Sequence, residues 1–279
     1  MRVIAFAPAH ITGFFEIFLK ENCEESGSRG AGLCISLGSY ATAEKIYGKK
    51  TIVEGNVGNG EVTSIALKKI ASGIRVKIKN QLPFSQGFGI SASSTLSSCL
   101  AASHLLKIEK SEAIKAAHAA EVESGTGLGD VVTSLLGGME IRLKEGLHGE
   151  IKKIDLHKKI IVAIIGEKIH TKSILRDENR RDAINDIGRE CLKNITIKPD
   201  INNFFDLSLY FAENSGLMNE KMKRILKHAN KIGKASMCMI GNSVFAIYNK
   251  KMEKFFSKYE YYVCKVDNYG ARILATFFP

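Results

Sequence analysis

The stretch "LPFSQGFGISASST", Leu82–Thr95, contains one proline, two glycines separated by one residue, and five hydroxyl side chains. The segment before it, "IRVKIK", alternates apolar and basic residues as a half-buried strand does, and the small-residue segment after it predicts a helix. Glycines let a backbone curl close to a ligand, and a helix N-terminus offers unpaired N–H groups with a partial positive charge. The order of strand, glycine-rich loop and helix therefore predicts either an ordinary capped loop or an anion site, with phosphate the natural anion.

The glycine pattern fits neither of two common nucleotide motifs. The loop has no lysine where Gly-x-x-x-x-Gly-Lys-Ser/Thr requires one, and it is not Gly-x-Gly-x-x-Gly. A phosphate role consequently needs support from other parts of the chain.

The overall composition is that of a soluble globular protein. Of 279 residues, 45% are hydrophobic and 25% charged, and the formal net charge is +11. A basic balance can indicate a polyanionic partner, but the lysines are spread along the chain and no run of interleaved aromatics offers a stacking platform. We therefore expect no nucleic-acid partner.

The cysteines and apolar runs indicate a reducing, non-membrane setting. No Cys-x-x-Cys pair occurs, and several cysteines sit in apolar surroundings, which is typical of small buried side chains. The N-terminal apolar run is too short for a signal peptide, and no run of about 18 apolar residues predicts a membrane span. We expect a cytoplasmic protein without a membrane partner.

Carboxylates follow the glycine-rich loop along the chain. Glu121 and Glu123 end an alanine-rich helical segment, and Asp130 follows the glycine turn "SGTGLG". A carboxylate beside an anion site can hold a neutralising metal or accept a proton from an attacking hydroxyl. The alternatives are that Glu121 and Glu123 are solvated, that Asp130 caps the next helix, and that His10 in "APAHITGFFE" is a core or capping histidine.

The order of predicted elements suggests an α+β protein in two parts. An opening strand at residues 2–7 is expected to stop at Pro8, and a second pattern begins with the apolar strand "KIIVAIIG" after Leu156. We place the domains at residues 1–156 and 157–279. A homodimer is one predicted assembly.

Three segments together resemble the GHMP kinase superfamily. Its phosphate loop, Pro-x-x-x-Gly-Leu-Gly-Ser-Ser-Ala, stands here at residues 83–92, with Ile90 in place of the first serine and Ser91 as the second. "GTGLGDVVTSLLGG" resembles the family's aspartate segment, and "APAHITGFFEI" its N-terminal motif, with His10 in place of lysine or arginine. The third family motif is reduced to "SMCMIGNSVFAI", with Gly241 its only glycine.

This resemblance implies a fold, an ATP-binding site and a metal. The implied fold has an N-terminal ATP-binding unit like ribosomal protein S5 domain 2, a ferredoxin-like C-terminal unit, and the active site between them. Asp130 is the implied catalytic residue, and Ser91 and Glu121 are the implied ligands of Mg²⁺. The residues implied to bind the ATP phosphates are Ser85, Gly87, Phe88, Gly89, Ile90, Ser91, Ala92, Ser93 and Ser94.

The departures from the family motifs resemble the archaeal pantoate kinase branch. That branch implies ATP-dependent phosphorylation of (R)-pantoate to (R)-4-phosphopantoate in coenzyme A biosynthesis. A guanidinium suits the carboxylate of pantoate, so Arg29 in "GSRGAG" is its predicted partner, the alternative being that Arg29 is a surface turn residue. Further substrate contacts are predicted at His10, Thr12 and Ser28. Thr171 and Ser173 are predicted to contribute from the second domain. The alternatives are kinases of mevalonate, homoserine or shikimate, and a non-catalytic metabolite-binding relative.

Overall fold

The computed structural model describes residues 1–56, 60–168 and 178–278. Up to Ile154 it contains β1 (Arg2–Phe18), β2 (Gly27–Lys45), β3 (Thr51–Gly55), α1 (Glu61–Ile70), β4 (Ile74–Asn80), α2 (Ile90–Leu106), α3 (Lys110–Ser124), α4 (Asp130–Leu136), β5 (Met139–Arg142) and β6 (Ile151–Ile154). After it come β7 (Lys159–Ile164), α5 (Glu178–Ile197), α6 (Ile201–Asn214), α7 (Glu220–Ala229), β8 (Ala235–Met237), β9 (Ser243–Ile247), α8 (Lys250–Phe256), β10 (Glu260–Lys265) and β11 (Arg272–Phe277). No helix in these ranges is long and apolar enough to cross a membrane.

The strands form two sheets, which confirms the predicted α+β class. The first has the order β11-β1-β2-β4-β3, with β5 paired to β2 and β6 to β5, and the second has the order β10-β7-β9-β8. Sheet membership changes between β6 and β7, close to the predicted boundary at Leu156, but β11 returns to pair with β1. The division at 156 itself stays a prediction.

The first strand continues through Pro8, so the predicted stop at this residue is wrong. The pairing of β1 with β2 shifts register between Pro8 and Ala9, and Pro8 lies opposite Gly38. A proline lacks the N–H that a regular ladder needs, and a bulge tolerates that loss. The chain beyond Pro8 therefore stays extended, which carries His10 and Thr12 along the same sheet.

Helix α2 is buried along most of its length behind β1 and β2. Its small side chains permit close packing, and its buried serines find partners in the sheet. The Ser93 hydroxyl is 2.7 Å from that of Ser39, and the Ser94 hydroxyl donates to Asn80 Oδ1 at 2.9 Å. The helix is thus fixed in position, with its N-terminus at the edge of a cavity.

The far half of β1 joins the first sheet to the C-terminal helices. The Phe15 ring packs on Phe211 of α6 with centroids 5.3 Å apart. Gly188 of α5 lies so close that an added Cβ would be 2.2 Å from the backbone oxygen of Phe15. One buried cluster therefore runs from β1 to the second sheet, and the cavity lies against it.

Candidate active site

A cavity of about 560 Å³ opens between the glycine-rich loop, β1, β2, the start of α1 and the turn before α4. Of the residues predicted to bind substrate, His10, Thr12 and Ser28 line it, and Asp130 lies on its wall. Met239 and Ile240, from the segment after β8, also line it. The sequence motifs that are far apart along the chain thus meet at one cavity.

The glycine-rich loop has the backbone shape of an anion cradle. Ser85, Gly87 and Gly89 have positive φ angles of 62°, 80° and 60°. Gly89 is the N-cap of α2 and has no side chain to cap it. The first N–H groups of α2 are therefore left to a ligand or to water, with the positive end of the helix dipole behind them.

The C-terminal segment holds this loop from behind. Gln86 Nε2 donates to the Gly166 oxygen at 3.0 Å, and the Ser243 hydroxyl donates to Gln86 Oε1 at 3.2 Å. A Cβ added at Gly241 would lie 2.2 Å from the Gln86 carbonyl carbon, and one at Gly87 would lie 2.8 Å from the Cys238 oxygen. The reduced third motif thus supports the phosphate loop by direct backbone packing.

Three of the predicted phosphate ligands do not line the cavity. Ser93 and Ser94 direct their hydroxyls to the sheet, and the Ser93 N–H already donates to the Gly89 oxygen at 3.0 Å. Ala92 is buried and does not line the cavity, so only its position in the first turn of α2 favours a backbone contact. The predicted residues on the cavity wall are Ser85, Gly87, Phe88, Gly89, Ile90 and Ser91.

Glu121 is a buried carboxylate directly behind the loop. Its Oε1 accepts from the Ser91 hydroxyl at 2.6 Å, and its Oε2 accepts from the Thr126 hydroxyl at 2.7 Å. Burial, with a smaller contribution from the charge of Asp130, raises the pKa of Glu121 to about 7, although the hydrogen bonds from Ser91 and Thr126 favour the ionised form. This carboxylate would be stabilised by a cation.

Glu123 has a different environment from Glu121. Its carboxylate accepts from Lys69 Nζ at 2.8 Å, and both side chains are about two-fifths exposed. An exposed ion pair of this kind is only weakly stabilising. Of the two glutamates, Glu121 contacts Ser91 and Glu123 lines the cavity, so the choice of Glu121 as the metal ligand stays a prediction.

Asp130 is the first residue of α4, and a buried histidine holds it. His10 Nδ1 lies 2.6 Å from Asp130 Oδ1, and His10 Nε2 lies 3.1 Å from Glu140 Oε1. Burial alone would lower the pKa of His10. The charge of Glu140 and the hydrogen bonds to both carboxylates outweigh burial and raise that pKa to about 9. His10 therefore supplies a positive charge where the family has lysine or arginine.

Arg29 does not line the cavity. Its Nε donates to Glu145 Oε2 at 2.8 Å, and its guanidinium lies over the Phe18 ring at 4.4 Å. Neighbouring side chains on a strand point to opposite faces, so Ser28 faces the cavity and Arg29 faces away from it. Its predicted role in binding the substrate carboxylate remains a prediction, without support from this geometry. Thr171 and Ser173 lie outside the described residues.

Sequence reasoning missed Glu140 and Arg142 on β5. Both are buried, Arg142 donates to Glu140 Oε1, and Arg142 Nε has no hydrogen-bond partner. A Cβ added at Gly129 would lie 2.5 Å from the Ser28 hydroxyl and 3.2 Å from Arg142 Nε, so these two groups lie together next to the cavity wall. The available signal was "MEIRL", an acid and a base on the same face of a buried strand.

An uncapped helix start, a buried hydroxyl–carboxylate pair and a histidine-bonded aspartate therefore lie close to one cavity. The model of the GHMP kinases N terminal domain matches residues 60–138. A pantoate kinase of Methanocaldococcus jannaschii is 34% identical over 257 residues, 88% of this chain and 93% of the relative. A pantoate kinase of Thermococcus kodakarensis is 31% identical over 265 residues, 88% of each chain.

A solved structure agrees with these sequence relatives. A phosphotransferase related to the CoA biosynthesis pathway superposes with a TM-score of 0.87 and 28% identity, covering 98% of both chains. The chain belongs to the GHMP kinase family. The relatives named above are pantoate kinases of archaea.

The charge of His10 predicts a pH dependence of stability. Because the pKa of His10 is about 9 in the folded chain and about 6.5 in an unfolded one, its contribution is complete below pH 6.5 and is lost as pH rises through 9. The free energy of unfolding should therefore fall between pH 6.5 and 9.5 by on the order of 2–3 kcal/mol more in the wild type than in His10→Gln. Urea unfolding at a series of pH values measures this, and equal pH dependence in the two proteins would contradict it.

Proposed function

We propose that this protein transfers the γ-phosphoryl group of ATP to the 4-hydroxyl of (R)-pantoate, giving (R)-4-phosphopantoate for coenzyme A biosynthesis. The pantoate kinase relatives and the CoA-related phosphotransferase structure support this substrate. The observation that carries the reaction type is the position of Asp130, on the wall of the cavity that the phosphate loop also lines. Phosphoryl transfer needs chiefly such positioning and charge stabilisation.

The phosphates of ATP would bind at the start of α2. Backbone N–H groups from Gly87 to Ala92 are the donors, and the positive φ angles of Gly87 and Gly89 give the loop its concave shape. The Ser85 and Ser91 side chains lie on the same wall and add hydroxyl donors. The Gln86 contacts with the second sheet keep this cradle from opening.

Ser91 and Glu121 fit a magnesium ion. Both supply oxygen, which Mg²⁺ prefers, and they already lie within a hydrogen bond of each other at 2.6 Å. The raised pKa of Glu121 indicates that this buried carboxylate lacks a compensating positive charge. Bound there, Mg²⁺ would neutralise charge on the phosphate oxygens.

Asp130 would accept the proton of the attacking hydroxyl. Its side chain is 23% exposed, and His10 occupies its Oδ1, so Oδ2 remains for the substrate. A Cβ added at Gly127 would lie 2.9 Å from Asp130 Oδ2 and 3.1 Å from Glu121 Oε2. The base and the proposed metal ligand therefore flank the same small space, as transfer from a metal-bound phosphate to a nearby hydroxyl requires.

The carboxylate of pantoate would bind near Ser28. Arg142 has an unpartnered Nε beside the Ser28 hydroxyl, and a guanidinium binds carboxylates through paired donors. Thr12 lies on the same wall, and the buried imidazolium of His10 adds a positive charge behind it. Neither arginine lines the cavity, but Arg142 lies next to Gly129 and Ser28 of its wall, whereas Arg29 is paired with Glu145, and we therefore assign the role to Arg142.

A substrate panel tests the proposed function. Purified protein with ATP and Mg²⁺ should release ADP with pantoate, and not with mevalonate, homoserine or shikimate. Asp130→Asn should lower kcat by about 10²–10⁴-fold while ATP still binds. Turnover with another acceptor of the panel, or none with any of them, would contradict the pantoate assignment. Near-normal turnover of Asp130→Asn would remove Asp130 from the base role.

Magnesium dependence separates the two glutamates. Glu121→Gln should raise the Mg²⁺ concentration needed for half-maximal rate by at least tenfold, because a neutral amide replaces a proposed ligand. Glu123→Gln is the matched control, and its requirement should change less than about twofold since an exposed pair contributes little. Titrations of rate against Mg²⁺ at saturating ATP and pantoate give both values. The reverse ranking would assign the metal to Glu123.

Substitutions of Arg142 and Arg29 should differ in their effect on the KM for pantoate. Arg142→Lys keeps the charge but loses the paired donors, so the KM for pantoate should rise by about 10–100-fold with little change in the KM for ATP. Arg29→Ala should leave both constants within about threefold. Steady-state kinetics with each substrate varied in turn checks this. A pantoate effect confined to Arg29→Ala would restore the prediction made from the sequence.

A further inference from the structure

Both ring nitrogens of His10 face carboxylate oxygens. Nδ1 is 2.6 Å from Asp130 Oδ1, Nε2 is 3.1 Å from Glu140 Oε1, and the ring is fully buried. A neutral imidazole has one N–H and one lone pair, so it can donate to only one of these oxygens. When both carboxylates are ionised they can only accept, and then only the doubly protonated ring donates to both.

Glu140 takes part in this arrangement without reaching the cavity. Its Oε1 accepts from both His10 and Arg142, its Oε2 is buried without a partner, and Glu140 is absent from the cavity wall. A buried carboxylate without paired cations would be strongly destabilised. Glu140 therefore depends on His10 and Arg142 remaining charged, and it stabilises that state in return.

The missing side chain of Gly32 in β2 leaves room for the His10 ring to reach from β1 to Glu140 on β5. Gly32 is paired with Thr12 of β1 on one side and with Glu140 of β5 on the other. A Cβ added at Gly32 would lie 2.2 Å from His10 Nε2 and 2.7 Å from its Cε1. The ring thus occupies the space of the missing side chain, and any larger residue at 32 would push it away from Glu140.

We propose that Glu140 is a positioning residue for the phosphoryl transfer: it keeps His10 doubly protonated and in one orientation, so that the imidazolium fixes Oδ1 of Asp130 and leaves Oδ2 toward the acceptor hydroxyl. This proposal rests on the proposed function of Asp130. Glu140 is a buried strand residue that does not contact the substrate. It acts on the base, Asp130, through His10, which lies between the two carboxylates.

The surrounding charges are consistent with this role. Asp130 and Glu140 are two acids and His10 and Arg142 two bases, so the cluster carries no net charge when His10 is protonated. The elements packed around His10 contribute these titratable or charged side chains: Asp130 from α4, Glu140 and Arg142 from β5, and Cys34 from β2. Glu121 of α3 interacts with Asp130 and not with His10. Burial raises the pKa of Cys34 well above its ordinary value, so its thiol stays neutral beside this cluster.

Glu140→Gln isolates the effect of the charge. Glutamine keeps the size and one acceptor oxygen but removes the negative charge, so His10 loses its proton at lower pH and Asp130 then faces a neutral ring that can also turn its bare nitrogen toward it. We expect kcat to fall by about 10–100-fold, as for other residues that orient a functional group, with the KM for ATP within about threefold. The alkaline fall in kcat, expected near the His10 pKa of about 9, should start at least one pH unit lower in the variant.

The ¹⁵N spectrum of the histidine rings tests the proposal independently of turnover. At pH 7.5, without substrate, both His10 nitrogens of the wild type should be protonated, and one should lose its proton in Glu140→Gln. His10→Gln assigns the signal. Glu44→Gln is the matched control. It makes the same change near the C-terminal end of β2, away from residues 30–33 where β5 pairs, and it should alter neither the spectrum nor kcat.

Each result decides the proposal. A neutral His10 in the wild type would overturn it, and this measurement stands even if Glu140→Gln fails to fold. Loss of kcat with His10 still doubly protonated and an unchanged pH profile would reduce Glu140 to a structural role and also overturn it. Conversely, a doubly protonated His10 in a protein that does not phosphorylate pantoate would support the charge cluster while contradicting the proposed function.

Discussion

No side chain caps the N-terminus of α2, and most features of the site are arranged around the backbone N–H groups that this leaves unpaired. Gly89 begins the helix in a left-handed conformation, so its first N–H groups need partners from outside the helix. The fold fixes this helix by burying its length and by packing the preceding loop on Gly241 and the second sheet. The first turn of α2 is therefore held in place with its unpaired N–H groups directed at the cavity, and the helix dipole makes this end partly positive. These are the properties that a phosphate site requires.

The remaining site is an arrangement of buried charges around that opening. Glu121 lies behind Ser91 and needs a cation, whereas Asp130 already has one in His10. One carboxylate is thus suited to a metal and the other to a substrate hydroxyl, although both lie close to Gly127. The chain replaces a long basic side chain at position 10 by a short one, and Glu140 supplies the charge that keeps this shorter group cationic.

The sequence predicts the local parts of this site well and the distant pairings poorly. Strand, loop and helix around residues 82–95 are contiguous, so periodicity and glycine spacing are enough to predict them. The extension of β1 beyond Pro8 depends on a bulge opposite Gly38, which only the pairing with β2 reveals.

Arg29 and Arg142 are both strand residues near glycines or acids in the sequence. The choice between them depends on which face of the sheet lines the cavity, and Glu121 differs from Glu123 for the same kind of reason, since helix rotation buries one and exposes the other.

The most direct test is a crystal structure of the protein with pantoate, Mg²⁺ and a non-hydrolysable ATP analogue. We expect the triphosphate on the first turn of α2, the metal on Ser91 and Glu121, and the 4-hydroxyl of pantoate within hydrogen-bond distance, about 2.6–3.2 Å, of Asp130. The carboxylate of pantoate should lie against Ser28 and Arg142. Pantoate bound with its carboxylate toward Asp130, or a triphosphate bound away from residues 85–92, would contradict the proposed phosphoryl transfer.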